Sequence, residues 1–466
     1  RAGIDSFTIL EKGDRLGGTW RDNTYPGAAC DVPSFSYCFS FEQKTDWSRK
    51  WAPQPEILAY MEHCARKYGI EPHIRFGAEV RHGRFDADRG VWRVQTTAGD
   101  TVEAEILVSG VGQLHKPFTP ALPGLETFAG PQFHSARWDH GVDLRGRRVG
   151  VVGNAASAIQ FIPEIARTAS RLLVFQRSAN WMLPRNDRAY TDLERWIFAH
   201  VPGAARLYRW YIWALLESRY PLFRGNDFLR RVVEKAAKQH IREVVGDADL
   251  RRALVPDYPP GARRLLVSDD YYRTLTLDHV ELVTSPIARI GAADVTTADG
   301  AAYPVDVLIL ATGFDTTHFL APADLEGVDG RSLQAAWNGG AAAYLGMAVS
   351  GFPNFFLMYG PNTNLGHNSI LFMIECQARY IVACARALRD RGIAWLDVTP
   401  EAMTGYNAQL QRELADTVWA RTDHSWYKRA DGTITNNWAG TTTRYWWRTR
   451  KVDFGAFRRE PRRNAP

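Results

Sequence analysis

The segment that most constrains this chain is Arg147 to Thr168, RRVGVVGNAASAIQFIPEIART. A short apolar strand, VGVV, passes through one glycine into a segment whose apolar residues recur at helical spacing. A second apolar run, RLLVFQRSAN at 171–180, follows at once. Strand, tight turn, helix and strand in that order make a βαβ unit, which calls for a parallel sheet covered on both faces. The turn reads Gly153-Asn154-Ala155-Ala156-Ser157-Ala158 and keeps only the first glycine of the G-x-G-x-x-G dinucleotide pattern. That glycine makes the sharp bend, while alanine, the smallest replacement, leaves a somewhat looser cradle at the other two places. The next strand ends Gln176-Arg177-Ser178, where a site for NAD would carry an acid. Arg177 at that place suits the 2′-phosphate of NADP.

A second nucleotide-binding unit is incomplete. DSFTILEKG (5–13) reads as a strand ending in Glu11, and an acid in that role lies about 20 residues beyond its glycine turn. Counted back, the turn falls before residue 1, RAGID becomes the end of the helix after it, and a chain that starts at Arg1 reads as a piece. Two further runs, ILVSGVG (106–112) and DVLILATGF (306–314), read as buried strands ending in glycine turns. They bracket the complete unit between 145 and 300. The expected fold is therefore α/β, with two dinucleotide-binding, Rossmann-like domains, one inserted in the other. The expected boundaries are 1–140 for the first part of the outer domain, 141–300 for the inserted domain and 301–466 for the second part of the outer domain with a C-terminal segment. Helical periodicity in LERWIFAHV, LYRWYIWALLE and DFLRRVVEKAAKQHIREVV marks a helical insertion at about 186–262, read as a cover over the active site.

Composition removes other classes. A net charge of +6 could suggest nucleic acid, but Lys and Arg are scattered, so no nucleic-acid partner is expected. Five cysteines, an odd number with no CxxC, fit reduced thiols in a cytoplasmic protein rather than a disulfide framework or zinc site. The longest apolar candidate, RWYIWALLESRYPLF (209–223), is broken by Glu217 and Arg219, so no transmembrane segment is expected. No His/Cys/Asp cluster has metal-ligand spacing, so no metal is expected. The sequence carries no signal for oligomeric state.

Four stretches now carry a resemblance. Phe128-x-Gly130-x-x-x-His134-x-x-x-Trp138-Asp139 is similar to the fingerprint FxGxxxHxxxW(P/D) of type I Baeyer–Villiger monooxygenases. Gly17-Gly18-Thr19-Trp20, then Tyr25-Pro26-Gly27 and Asp31, resembles that family's GGxWxxxxYPGxxxD segment. Arg263-Arg264 followed by SDDYY (268–272) resembles its Lys/Arg-Arg pair before Tyr-Tyr, and YGPNTNLGHNS (359–369), with Ile370 next, resembles its flavin-side loop in the 4-hydroxyacetophenone and large-ketone branch. The chain looks like an N-terminally truncated member, covered from about residue 5 to about 450.

The resemblance implies an FAD- and NADPH-dependent monooxygenase, with the NADP domain (141–300) inserted in the FAD domain (1–140 and 301–466). NADPH reduces FAD, reduced FAD captures O2 as a C4a-peroxide, and the peroxide attacks a small-molecule ketone to give an ester or lactone. A fixed cation stabilises an anionic nucleophile. Arg264 matches that role, with Asp31 as the carboxylate that positions it. His134 and Trp138 match residues that couple cofactor movement to catalysis. Arg263, with Arg177 and Ser178, would clamp the NADP phosphate. Gly153, Asn154, Ala155 and Ser157 would form the cradle, and Glu11 and Gly18 would serve FAD. Trp20 and Tyr37 would flank the flavin, Val80 (at the end of a short strand) would contact adenine, Ile370 would lie beside the flavin, and Trp438 would stand near nicotinamide or substrate. Two alternatives stay open: an N- or S-oxygenating flavin monooxygenase, in which Tyr or Phe replaces the tryptophan of the fingerprint, and a non-catalytic fragment lacking the first FAD turn.

Overall fold

The computed structural model describes residues 3–316, 319–320, 323–422, 427–429 and 431–462. Five strands make one wholly parallel sheet. In spatial order they are Val280–Val283, Arg171–Phe175, Arg148–Val152, Val307–Leu310 and Gln132–His134. Val149, Val151, Leu172, Leu173, Val174, Leu308 and Ile309 are fully buried, as strands covered on both faces must be. Helix Ala158–Ala166 turns Ala158, Ile159, Phe161, Ile162 and Ile165 onto one face. The other face packs Phe128, Phe175 and Leu308 against an antiparallel sheet of Ile287–Ile290, Asp294–Thr297 and Ala302–Pro304.

This sheet extends beyond the expected 141–300 segment on both sides, because Gln132–His134 and Val307–Leu310 are its strands. An apolar run does not say which of two parallel sheets it will join; crossover packing decides that. The segment from Phe128 to Asp139 is thus no free linker, for it holds the edge strand. Gly130 is required there: a Cβ would stand 2.3 Å from the Asp306 carbonyl oxygen and 2.9 Å from the Phe128 ring.

The rest of the chain forms smaller sheets. Leu107–Ser109 pairs parallel with Phe355–Leu357, and Ile9–Leu10 with Ile74–Arg75. Asp324–Glu326, Val80–Asp86, Val91–Thr96 and Thr101–Ala104 form a four-stranded sheet. Three expectations are corrected here. Only Ile9 and Leu10 of 5–13 are strand, residues 3–5 are not helical, and residues 1 and 2 lie outside the described residues. The run 106–112 is not buried, since Val108 is 40 % exposed. Val80 begins a strand rather than ending one.

The segment 186–262 is helical, with Asp192–His200, Ala204–Glu217, Tyr220–Phe223, Asp227–Val244 and Ala248–Ala253. Helix Ile370–Asp390 buries Met373, Cys376, Tyr380 and Cys384 in the largest core, beside Thr442–Thr449. Among the described residues no helix is long and apolar enough to cross a membrane, and no group of His, Cys, Asp and Glu could hold a metal ion.

Candidate active site

Folding brings Arg264 and Asp31 together across 233 positions of sequence. Arg264 Nε donates to Asp31 Oδ2 at 2.7 Å, and a terminal guanidinium nitrogen pairs with the same oxygen. The side chains are 37 % and 32 % exposed, so the pair is reachable from solvent. The charge of Asp31 raises the already high pKa of Arg264 against the opposing effect of burial, and the guanidinium stays charged.

The sequence reading missed what holds this pair. Asp269 caps three successive backbone donors, with Oδ1 accepting from Arg185 N at 2.8 Å and Asn186 N at 2.9 Å, and Oδ2 from Asp187 N at 3.0 Å. Asn186 takes the left-handed conformation (φ 50°) this bend needs. The fixed Arg185 then donates to the Cys30 carbonyl at 3.0 Å, next to Asp31, and stacks over Trp51 at 5.4 Å. Asp187 pairs with Arg49 at 2.8 Å. Asp269 stands in the SDDYY run, where two adjacent acids were the available signal.

The Tyr25–Asp31 stretch is clasped to helix Ala158–Ala166. Tyr25 Oη donates to Gln160 Oε1 at 3.1 Å, and Gln160 Nε2 donates to the Ala29 carbonyl at 3.1 Å. Gly27 sits at φ 75° with its absent Cβ 2.6 Å from the Gln160 carbonyl oxygen, which explains the glycine after Tyr-Pro. Upstream, Trp20 Nε1 donates to Tyr37 Oη at 3.1 Å with the rings edge-to-face, so these two expected flavin neighbours do meet. Gly18 has φ 49° and open space where a Cβ would stand. Glu11 Oε1 accepts from Gly13 N at 2.7 Å and from Arg21 at 3.0 Å. Val80 and Ile370 are half-buried and pack against separate cores.

At the complete turn, Gly153 has φ 106°. Asn154 is buried, and its amide donates to Gln176 Oε1 at 2.6 Å and to the Ser178 carbonyl at 3.1 Å. Its side chain therefore ties the turn to the next strand. Ala155 is exposed and Ser157 half-buried where the helix begins. Arg263 donates to Ser178 Oγ at 2.7 Å and lies over the Tyr258 ring at 4.4 Å, while Arg177 is exposed. The three expected phosphate contacts thus lie on adjoining segments.

His134 is buried, and its Nδ1 accepts from Ala136 N at 3.1 Å, so the neutral ring carries its proton on Nε2. Burial lowers its pKa, with the Gly313 backbone opposing. Nε2 makes no hydrogen bond of good geometry among the described residues. Trp138 packs against Phe133 and Phe161, each at 5.2 Å, beside the parallel sheet and not against Arg264. Trp438 is fully buried, donates Nε1 to the Thr441 carbonyl at 3.0 Å and packs on Tyr445.

Residues 6–323 match the family described as flavin-binding monooxygenase-like. A Baeyer–Villiger monooxygenase of Streptomyces coelicolor is 40 % identical over 459 residues, covering 98 % of this chain and 88 % of that protein. One from Pseudomonas aeruginosa is 39 % identical over 457 residues, covering 98 % and 87 %. The chain belongs to the flavin-binding monooxygenase-like family. Among solved structures, an oxidized steroid monooxygenase bound to NADP superposes with TM-score 0.86 at 32 % identity, over 97 % of this chain and 94 % of that one. A closed cyclohexanone monooxygenase gives 0.87 at 27 %, over 97 % and 94 %. This flavin-binding monooxygenase is an NADPH-dependent flavoprotein of the Baeyer–Villiger type, built on two Rossmann-like domains.

The residues present in this monooxygenase fit both cofactors. Gly18 and Gly313 have positive φ and open space where a Cβ would stand, and Arg263 meets Ser178 beside the helix-opening turn.

Glu217, singled out in sequence only as a charge that breaks an apolar run, anchors the helical insertion to the loop 359–369. Its carboxylate accepts from Asn368 Nδ2 and Thr442 Oγ1, both at 2.9 Å, and from Thr443 N at 3.2 Å, with His367 Nε2 at 3.3 Å. Burial alone would raise its pKa, yet His367 and Asn368 outweigh that and hold it at about 2. A carboxyl lowered on folding stabilises above its unfolded pKa and loses that contribution as pH falls toward the folded value. Urea unfolding of the native chain should therefore show a stability loss between about pH 4.5 and 2 that Glu217→Gln lacks. Identical pH slopes would show that the carboxylate is not held.

Proposed function

We propose that the chain inserts one oxygen atom of O2 beside the carbonyl of a small-molecule ketone, giving an ester or lactone. The observation that carries this reading is the Arg264–Asp31 pair, a solvent-reachable, permanently charged guanidinium pinned by a carboxylate. Bound FAD supplies electron transfer from NADPH and the activation of O2. Arg264 stabilises negative charge on the oxygen that attacks the carbonyl, and Asp31 fixes its direction. Arg185, held by Asp269, keeps the Cys30–Asp31 backbone in register. Trp20 and Tyr37 wall the ring system, and His134 offers Nε2–H as a donor. In this reading the parallel sheet between Gln132 and Leu310 binds NADPH, and the chain on either side binds FAD. The five cysteines are free and buried, which supports a reducing, cytoplasmic setting.

Arg263, Ser178 and Arg177 take the 2′-phosphate of NADPH. Arg263→Ala should raise the KM for NADPH about tenfold or more with little change in kcat, as loss of a charge-assisted phosphate contact does. An unchanged KM would remove Arg263 from the clamp. The reaction class is tested with a panel of aryl and cyclic ketones, products being weighed by mass spectrometry. Esters or lactones support the proposal; N- or S-oxides from amine and sulfide controls, with no ketone product, would place the chain with the heteroatom oxygenases.

A further inference from the structure

Helix Ala204–Glu217 is apolar on two opposite sides. Ile212 and Leu216 face inward, and Ala205 is buried with them. Leu207, Trp210, Tyr211 and Leu215, at spacings that share one helical face, point to solvent. Leu207 is 70 % exposed, Tyr211 62 % and Trp210 53 %. The preceding helix, joined to it through the stacked rings of Phe198 and Tyr208, adds exposed Leu193 and Trp196. A soluble surface scatters such side chains singly; a contiguous stripe marks an interaction face.

Charge identifies what covers it. Between Asp192 and Arg224 there are five arginines and three carboxylates. Asp192 pairs with Arg195 and Glu194 with Arg188, while Glu217 is turned inward to Asn368 and Thr442. Arg224 pairs with Asp416, and Arg206 and Arg219 are exposed beside the stripe. The face offers solvent apolar and aromatic side chains within an arginine fringe. A second copy applied by two-fold symmetry would set that fringe against itself. Trp and Tyr rings flanked by Arg have the composition of helices that lie at the headgroup level of anionic bilayers. We propose that helix Ala204–Glu217, with Trp196, docks this enzyme on an anionic lipid surface. The inference is independent of the ketone reading. Because the same helix holds the loop at Asn368 through Glu217, docking places lipid on one side of the helix and that loop on the other.

The FAD-bound full chain is floated with vesicles of phosphatidylcholine alone, or with about one-third phosphatidylglycerol. The native chain should float with the anionic vesicles and much less with the neutral ones. Leu207→Ser/Trp210→Ser/Tyr211→Ser should lower the partition coefficient about tenfold or more, because its targets are the exposed apolar contacts. Arg206→Glu/Arg219→Glu, which leaves the apolar stripe intact, should lower it as well, and both variants should keep the native rate of NADPH oxidation in solution. Three outcomes would overturn the proposal: no flotation at either composition, equal flotation of native and triple variant, or self-association of the native chain that the triple variant abolishes.

Discussion

Arg264→Ala should lower ester formation about 10²–10³-fold, roughly 3–4 kcal/mol of lost transition-state stabilisation, the scale of removing one preorganised electrostatic group. Arg264 is the group that Asp31 directs, through Nε at 2.7 Å and a terminal nitrogen on the same oxygen. Alanine removes the cation and leaves Asp31 as an unpaired negative charge where negative charge must develop, so attraction is replaced by repulsion. Arg264→Lys should recover only part of the rate, since an ammonium cannot reproduce the two-nitrogen grip on one carboxylate. NADPH oxidation should continue in the alanine variant, its electrons ending in hydrogen peroxide. Quantifying ester, NADPH and peroxide in one reaction separates the outcomes. Ester formation within about threefold of native would remove Arg264 from the reacting centre.

Gly153→Ala should cost about 2–4 kcal/mol of stability and raise the KM for NADPH, through left-handed strain and a backbone clash together. The φ of Gly153 is 106°, and an added Cβ would stand 2.5 Å from the Ala311 carbonyl oxygen. That carbonyl belongs to the chain leaving strand Val307–Leu310, so it cannot retreat without opening the parallel sheet. Gly146 provides the control. Its φ is 68°, but nothing lies within 4 Å of the place of its Cβ, so alanine there should cost only about 1 kcal/mol. Urea unfolding of both variants measures the difference; equal losses would show that the close approach to Ala311 does not matter.

How much was legible in the sequence followed from how local each signal was. The βαβ unit at 148–175 was plain, because strand, glycine turn and helix each have their own periodicity. The strands Gln132–His134 and Val307–Leu310 were seen as a fingerprint and an apolar run, but their place in the same sheet was not, since parallel pairing is decided by distant crossovers. Arg264 and Asp31 were matched through separate motifs, and their contact needed the fold. The burial of Trp438 was not legible, because a tryptophan in a motif gives no sign of how its ring is enclosed; here Thr441 and Tyr445 pack on it. The roles of Asp269 and Glu217 were not legible, although Asp269 stands in the SDDYY run, because the backbone donors and side chains they cap lie far away in sequence. The glycines explain themselves only in three dimensions: Gly27 lies against Gln160, Gly130 against Asp306, and Gly153 against Ala311.

The most direct measurement supplies the chain with FAD, NADPH, a ketone and isotopically heavy dioxygen, and weighs the product. The expected product is an ester or lactone carrying one heavy oxygen atom in the new C–O–C link, with the carbonyl oxygen unlabelled. Unchanged ketone together with labelled hydrogen peroxide, or an ester whose new oxygen comes from water, would contradict oxygen insertion by this enzyme.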